Sequence, residues 1–169
     1  MTLAFASLLF ANVALSAPPP QVAANPQPPS GSEFRLSLQA ESAFGVGRGS
    51  FVTGLGGARF DYRFSPEWSV GSYVGYANLK GPNGGRVHNA LLYGLLSYEA
   101  PLASQLTLPL RLGMGYLPKN GPYLRTSVGL GYAVNESWAL GLDAVPAFWS
   151  VDDRTELSVG LAFGVSRNF

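Results

Sequence analysis

Residues 155–169, TELSVGLAFGVSRNF, alternate with period two. Leu157, Val159, Leu161, Phe163, Val165 and Phe169 share one face. Glu156, Ser158, Gly160, Ala162, Gly164, Ser166 and Asn168 share the other. Alternation this regular is a β-strand with one apolar face and one polar or small face. The same reading runs upstream. In 105–116, Leu106, Leu108, Leu110, Leu112, Met114 and Tyr116 stand against Gln105, Thr107, Pro109, Arg111, Gly113 and Gly115. In 123–134, Leu124, Val128, Leu130 and Tyr132 stand against Tyr123, Arg125, Ser127, Gly129 and Gly131. Further alternating segments fall at 34–41, 59–64, 68–77 and 138–144. Segment 88–98 is apolar on both faces, which leaves its register open. The expectation is eight strands in an all-β fold. SVGLGYAV (127–134) recurs as SVGLAFGV (158–165), as expected of repeated hairpins.

Composition narrows the setting. The 169 residues are 47% hydrophobic and 12% aromatic but only 12% charged, with 21 Gly and a net charge of +1. Soluble proteins carry about 25% charged residues, so the surface is short of charge. The aromatic content excludes general disorder. No run of about 20 apolar residues follows the N-terminus, which excludes membrane-spanning helices there. A net charge near zero gives no reason to expect nucleic acid. The absence of Cys removes disulfides, thiolate metal sites and thiol catalysis.

The apolar stretch 1–16, MTLAFASLLFANVALS, ends in small residues and reads as a secretory signal peptide, with a short buried helix as the alternative. Residues 17–32, APPPQVAANPQPPSGS, carry six of the 13 prolines and no charge. They read as an extended spacer. A single folded domain is expected over 33–169.

The question is which face meets water. Were the apolar face inside, Gly113, Gly115, Gly129, Gly131, Gly160 and Gly164 would lie on the exterior, where they weaken strands and add nothing to solvation. Inside a narrow eight-stranded barrel, small residues make room for larger polar ones. The bulky apolar face then turns outward, which is stable only in lipid. Strands spanning lipid must close on themselves, because unpaired edges find no hydrogen-bond partner there. A closed antiparallel up-and-down eight-stranded transmembrane β-barrel is therefore expected.

The aromatic positions fit two rims. With strand one rising from the periplasm, the lower rim collects Phe34, Phe64, Trp68, Tyr98, Tyr132, Trp138 and Phe169. The upper rim collects Phe51, Tyr76, Tyr116, Tyr123 and Phe148 or Trp149. Interfacial girdles flanking a Leu/Val band have this form. Lower turns are expected at 65–67, 99–104 and 135–137, and upper loops at 45–50, 78–87, 117–122 and 146–154.

With its export signal, eight alternating segments and aromatic terminus, the sequence resembles the small outer-membrane β-barrels of the OmpA-barrel and OmpX type. The resemblance covers residues 33–169 and is one of pattern. It implies the outer membrane of a diderm bacterium. It also implies that the last strand is read by the barrel-assembly machinery through Leu161, Phe163, Val165 and Phe169. Arg167 departs from that pattern but can snorkel at the rim.

Inside the barrel, Arg35, Glu41, Arg59, Asp61, Arg63, Arg111, Arg125, Asp143 and Glu156 are expected to face one another. Five are positive and four negative, so nearly all can pair. A salt-bridged lumen with a structural, envelope-integrity role follows. One alternative is a narrow channel, gated by partner exchange among Arg59, Arg63, Asp61 and Asp143. A second is a secreted soluble barrel that carries a lipophilic ligand. Catalysis would have to use His88, the only His, which is followed by Asn-Ala and has no Ser at the second position on. No enzyme activity, metal or cofactor is expected. Gly81–Gly85 is a turn rather than a phosphate loop, and Asp152 and Asp153 read as solvated. Lys80, Arg86, Lys119 and Arg154 in the upper loops are candidates for lipopolysaccharide phosphates. The expected partners are outer-membrane lipid and lipopolysaccharide, and the chain is expected to be a monomer.

Overall fold

The computed structural model describes residues 34–46, 52–80, 85–118, 121–151 and 154–169. The segments read as signal peptide and spacer lie outside the described residues, as do Phe51, Lys119, Asp152 and Asp153. The elements are β1 (Phe34–Gly45), β2 (Val52–Arg63), β3 (Trp68–Lys80) and β4 (Arg86–Ala103), then β5 (Leu106–Leu117), β6 (Gly121–Ala133), β7 (Trp138–Val151) and β8 (Arg154–Asn168). Each strand pairs antiparallel with the next, and β8 pairs back onto β1 to close the barrel. The terminal Phe169 N–H donates to the Phe34 carbonyl at 2.9 Å, so the seam is hydrogen-bonded to its end.

Closure follows from what lies on each face. Leu38, Val74, Met114 and Leu161 point outward and are more than 60% exposed. Ala43, Ser158, Arg125 and Asp143 point inward and are 5% exposed or less. The exterior is the more apolar face, the reverse of a barrel that holds a lipophilic ligand inside. Among the described residues, no helix is long and apolar enough to cross a membrane. The crossing elements are strands of 12 to 18 residues. A tilted transmembrane strand needs about 9–11 residues, so every strand is long enough.

The strands outrun the expected segments at the upper end. β3 runs to Lys80 and β4 starts at Arg86, which absorbs half of the expected 78–87 loop. β7 and β8 leave only 152–153 between them, where a loop over 146–154 was expected. At the lower end β4 continues through Ala103, with a register shift between Pro101 and Ala103. The expected 99–104 turn is therefore strand, and only 104–105 turn. The remaining lower turns are built locally. Asn135 Oδ1 accepts from the N–H groups of Ser137 and Trp138, both at 2.9 Å, and Ser65 Oγ accepts from the Trp68 N–H at 3.0 Å.

Most of the expected girdle lies outward: Phe34, Phe64, Trp68, Tyr76, Tyr116, Tyr132, Trp138 and Phe169 are all at least 40% exposed. Tyr123 and Trp149 are corrections. They point into the barrel, at 1% and 0% exposure, because they share the parity of Arg125 and Asp143. Segment 88–98 resolves with Asn89, Leu91, Tyr93, Leu95 and Ser97 inward. Its two-sided apolarity arises because Leu91 and Leu95 fill the lumen while Leu92 and Leu96 stay outside.

Candidate functional site

The interior divides into three levels. The upper level is apolar and aromatic. Tyr73 stacks on Tyr93 at 4.6 Å between centroids, Tyr93 meets Tyr123 at 5.9 Å, and Tyr123 meets Trp149 at 4.4 Å. Leu55, Leu79, Leu91 and Leu117 pack around this ladder. The Trp149 indole N–H donates to Ser158 Oγ at 2.6 Å, which satisfies the one polar atom of that ring. A lumen salt-bridged along its whole length is thus a second correction. Its upper level is a packed hydrophobic plug.

The glycines explain how the plug fits. A Cβ at Gly115 would strike the Tyr93 side chain and backbone, and one at Gly129 would strike the Asp143 carboxylate. Each pairs across the ladder with the neighbour it accommodates. Glycine here permits a close approach by a large inward side chain.

The middle level holds the charges. Arg125 pairs with Glu41 at 3.0 Å, donates to Tyr93 OH at 2.8 Å and lies 5.2 Å from the Tyr93 ring centroid. Arg59 pairs with Asp61 at 2.8 Å and reaches Ser37 Oγ at 3.4 Å. Arg111 donates to both Asp143 oxygens, at 2.6 and 2.7 Å. The void between these pairs has a volume of about 10 Å³, bounded by Gln39, Tyr93, Leu95 and Ser127 among others. That is at the lower limit for one water.

The lower level opens into a cavity of about 490 Å³ at the end that carries the start of β1, the end of β8 and the short turns. Arg35, Ser37, Arg63, Glu99, Arg111 and Asn168 line it, together with turn residues such as Glu67 and Glu136. Glu99 is the hub. Arg35 pairs with it through both carboxylate oxygens, and Arg63 reaches Oε2 at 3.5 Å. Arg35 also donates from Nε to Asn168 Oδ1 at 2.9 Å.

The interior therefore brings together Arg35, Glu41, Arg59, Asp61, Arg63, Arg111, Arg125 and Asp143. Glu156 stands apart, half-buried on β8 across from Trp149 with no ion pair among the described residues. Sequence reasoning missed Glu99, which it assigned to a turn. The unmatched fifth arginine was the signal that an inward acid remained unassigned. On the exterior, Tyr76 and His88 are hydrogen-bonded and stacked at 5.6 Å on the upper rim. Leu161, Phe163 and Val165 lie on the outward face of β8, and Phe169 follows it, exposed. The Arg167 guanidinium lies 5.7 Å from the Trp138 ring and 5.0 Å from the Phe169 ring, held between two rim aromatics. Among the described residues, no group of three metal-ligating side chains occurs.

An up-and-down barrel with a lipid-compatible exterior and a charged interior defines a class of integral membrane protein. No protein-family model matches the sequence, and no curated protein matches it. Among solved structures it is similar to Neisserial surface protein A (NspA), at 17% identity over 82% of this chain and 98% of that one, with a TM-score of 0.61. It is also similar to the N-terminal β-barrel domain of Pseudomonas aeruginosa OprF, at 16% identity over 82% of this chain and 100% of that one, with a TM-score of 0.52. A de novo designed transmembrane β-barrel shares 20% identity over 80% of this chain and 95% of that one, with a TM-score of 0.50. The likeness is one of fold. The chain has the fold of the small eight-stranded outer-membrane β-barrels.

Proposed function

We propose that this chain is a sealed structural barrel of the outer membrane in a diderm bacterium, without catalytic activity. The observation that carries the reading is the passage from a 490 Å³ cavity to a 10 Å³ void and then to the packed aromatic ladder. A channel needs a continuous wet path, and two of the three levels supply none. The short-turn end faces the periplasm, and the lipid contacts are made by the outward Leu, Val and aromatic side chains. The outward face of β8, with Phe169 just after it, presents Leu161, Phe163, Val165 and Phe169 to the assembly machinery. Arg86 on the upper rim faces lipopolysaccharide phosphates, beside the exposed Tyr76–His88 pair.

Two measurements test this. The refolded chain in detergent should migrate differently on a gel unheated and boiled, because closed barrels resist SDS until heated. Identical mobility, with solubility maintained without detergent, sinks the membrane assignment. In planar bilayers the wild-type chain should give no conductance steps, because the charged middle level and the aromatic plug both block the path. Wild-type steps that change on Arg59→Gln or Asp61→Asn would instead establish the gated channel.

A further inference from the structure

We infer that the upper end of β4 is a strand-addition site, where an extended acidic segment of another protein pairs with residues 86–90. β3 pairs with β4 as far as Arg86, whereas β5 pairs with β4 only from Leu92 onward. The β5–β6 connection spans just 118–120, too short to supply a strand there. Among the described residues, nothing pairs with 86–91 on the β5 side.

Backbone parity identifies the free groups. The Glu99 N–H donates to the Glu67 carbonyl, on the β3 side, at 2.8 Å. The β3–β4 register then runs without a shift from Tyr98 to Arg86. In an antiparallel ladder, successive residues turn their N–H and C=O groups to opposite sides. Odd-numbered residues of this stretch bond to β3, so Arg86, His88 and Ala90, all exposed, direct theirs away from it. β4 also outruns β3 at its lower end, where 100–103 continue past the last pair, Trp68 with Tyr98. That lower edge is blunted, because Pro101 lacks an N–H and the register shifts between Pro101 and Ala103. Proline and bulges are the usual protection of an exposed edge. Residues 86–90 have neither.

The side chains set the partner's chemistry. Arg86 and His88 share the outward face, where His88 stacks on Tyr76. Arg86 forms no ion pair among the described residues. Val87, on the opposite face, is 41% exposed. A strand laid beside β4 meets basic groups on one face and an aliphatic group on the other, which suits alternating acidic and aliphatic residues. A second copy pairing edge to edge would instead gather Arg86 and His88 of both chains on one face with no acid among them. The membrane reading proposed above fixes only that the partner approaches from outside the cell; the edge itself rests on the register.

The test is amide exchange, followed by NMR, on the full chain refolded in detergent micelles, with a short synthetic peptide alternating glutamate and valine as the probe. In the free chain the N–H groups of Arg86, His88 and Ala90 should exchange faster than those of Val87 and Asn89, and the peptide should slow them. A lysine–valine peptide should not, and Arg86→Glu should reverse that preference. His88→Pro removes the central edge donor while leaving the β3 ladder intact. It should bind the acidic peptide at least about fivefold more weakly than His88→Ala, which keeps the N–H. Slow exchange at all these positions in the free chain overturns the inference, because the edge is then already covered. So do equal affinities for the two peptides, equal affinities of the two His88 variants, or no binding at all. Exchange that slows with protein concentration alone overturns it in favour of a second copy. Should His88→Pro fail to fold, the free-chain exchange pattern and Arg86→Glu decide. Heat-dependent gel mobility, read on the same samples, reports the membrane barrel separately, so the failure of one reading is distinguishable from that of the other.

Discussion

Glu41→Ala is expected to destabilise the barrel by about 3–5 kcal/mol, the cost of leaving a buried ion without its partner. The Arg125 and Glu41 side chains are 6% and 2% exposed, and their 3.0 Å contact lies just beneath the aromatic plug. Arg125 cannot escape to water when the carboxylate is removed, because the plug closes the way up and the other ion pairs of the middle level, Arg59–Asp61 and Arg111–Asp143, crowd the rest of its surroundings. Its bond to Tyr93 OH and its position beside the Tyr93 ring remain, but a neutral phenol does not balance a guanidinium. Replacing both partners with apolar side chains, Glu41→Leu/Arg125→Met, should recover most of the loss, since well-packed hydrophobic replacements of buried pairs are often neutral or better. Urea unfolding in lipid vesicles, followed by gel mobility, reads both variants. Equal loss in the single and double variants would show that the pair is held by shape and not by charge.

That experiment probes the part of the molecule where sequence and structure diverge most. Parity along β5, β6 and β8 identifies the inward face without ambiguity, because small or polar residues alternate there with large apolar ones. Arg111, Arg125 and Glu156 are legible on that basis. The rule weakens wherever the lumen itself is apolar. In β4, Leu91 and Leu95 point in while Leu92 and Leu96 point out, so alternation of polarity vanishes although alternation of direction persists. Losing the register of β4 hid Glu99, and with it the acid on which Arg35 and Arg63 converge. Tyr123 and Trp149 failed for a related reason. An aromatic residue near a strand end suits either a lipid–water rim or a lumen plug, and only parity with Arg125 or Asp143 separates the two. Cross-barrel pairing lies beyond single-strand patterns altogether. Arg35 on β1 meets Glu99 on β4, which no local spacing encodes.

The outward face carries the second large expectation, and its sign decides between lipid and water. Leu161→Arg should cost about 2–4 kcal/mol in a bilayer, the penalty for arginine near the midplane of a transmembrane barrel. Leu161 is 62% exposed and sits mid-strand, paired with Ser42 on β1 and Ala144 on β7. On a water-soluble barrel the same change would fall within about 0.5 kcal/mol of neutral, as surface substitutions usually do. An internal control lies on the same face of the same strand. Arg167 already stands outward at the lower rim, between the Trp138 and Phe169 rings, where an arginine is expected to cost only about 0–1 kcal/mol. Arg167→Leu should therefore change stability little, while Leu161→Arg changes it greatly. Chemistry and facing are alike at the two positions; what differs is depth. A depth-dependent penalty along one strand is the signature of a hydrocarbon slab, and a water-exposed surface has no means of producing it. Unfolding measurements of the two variants in vesicles would find them nearly equal if the exterior of β8 faced water.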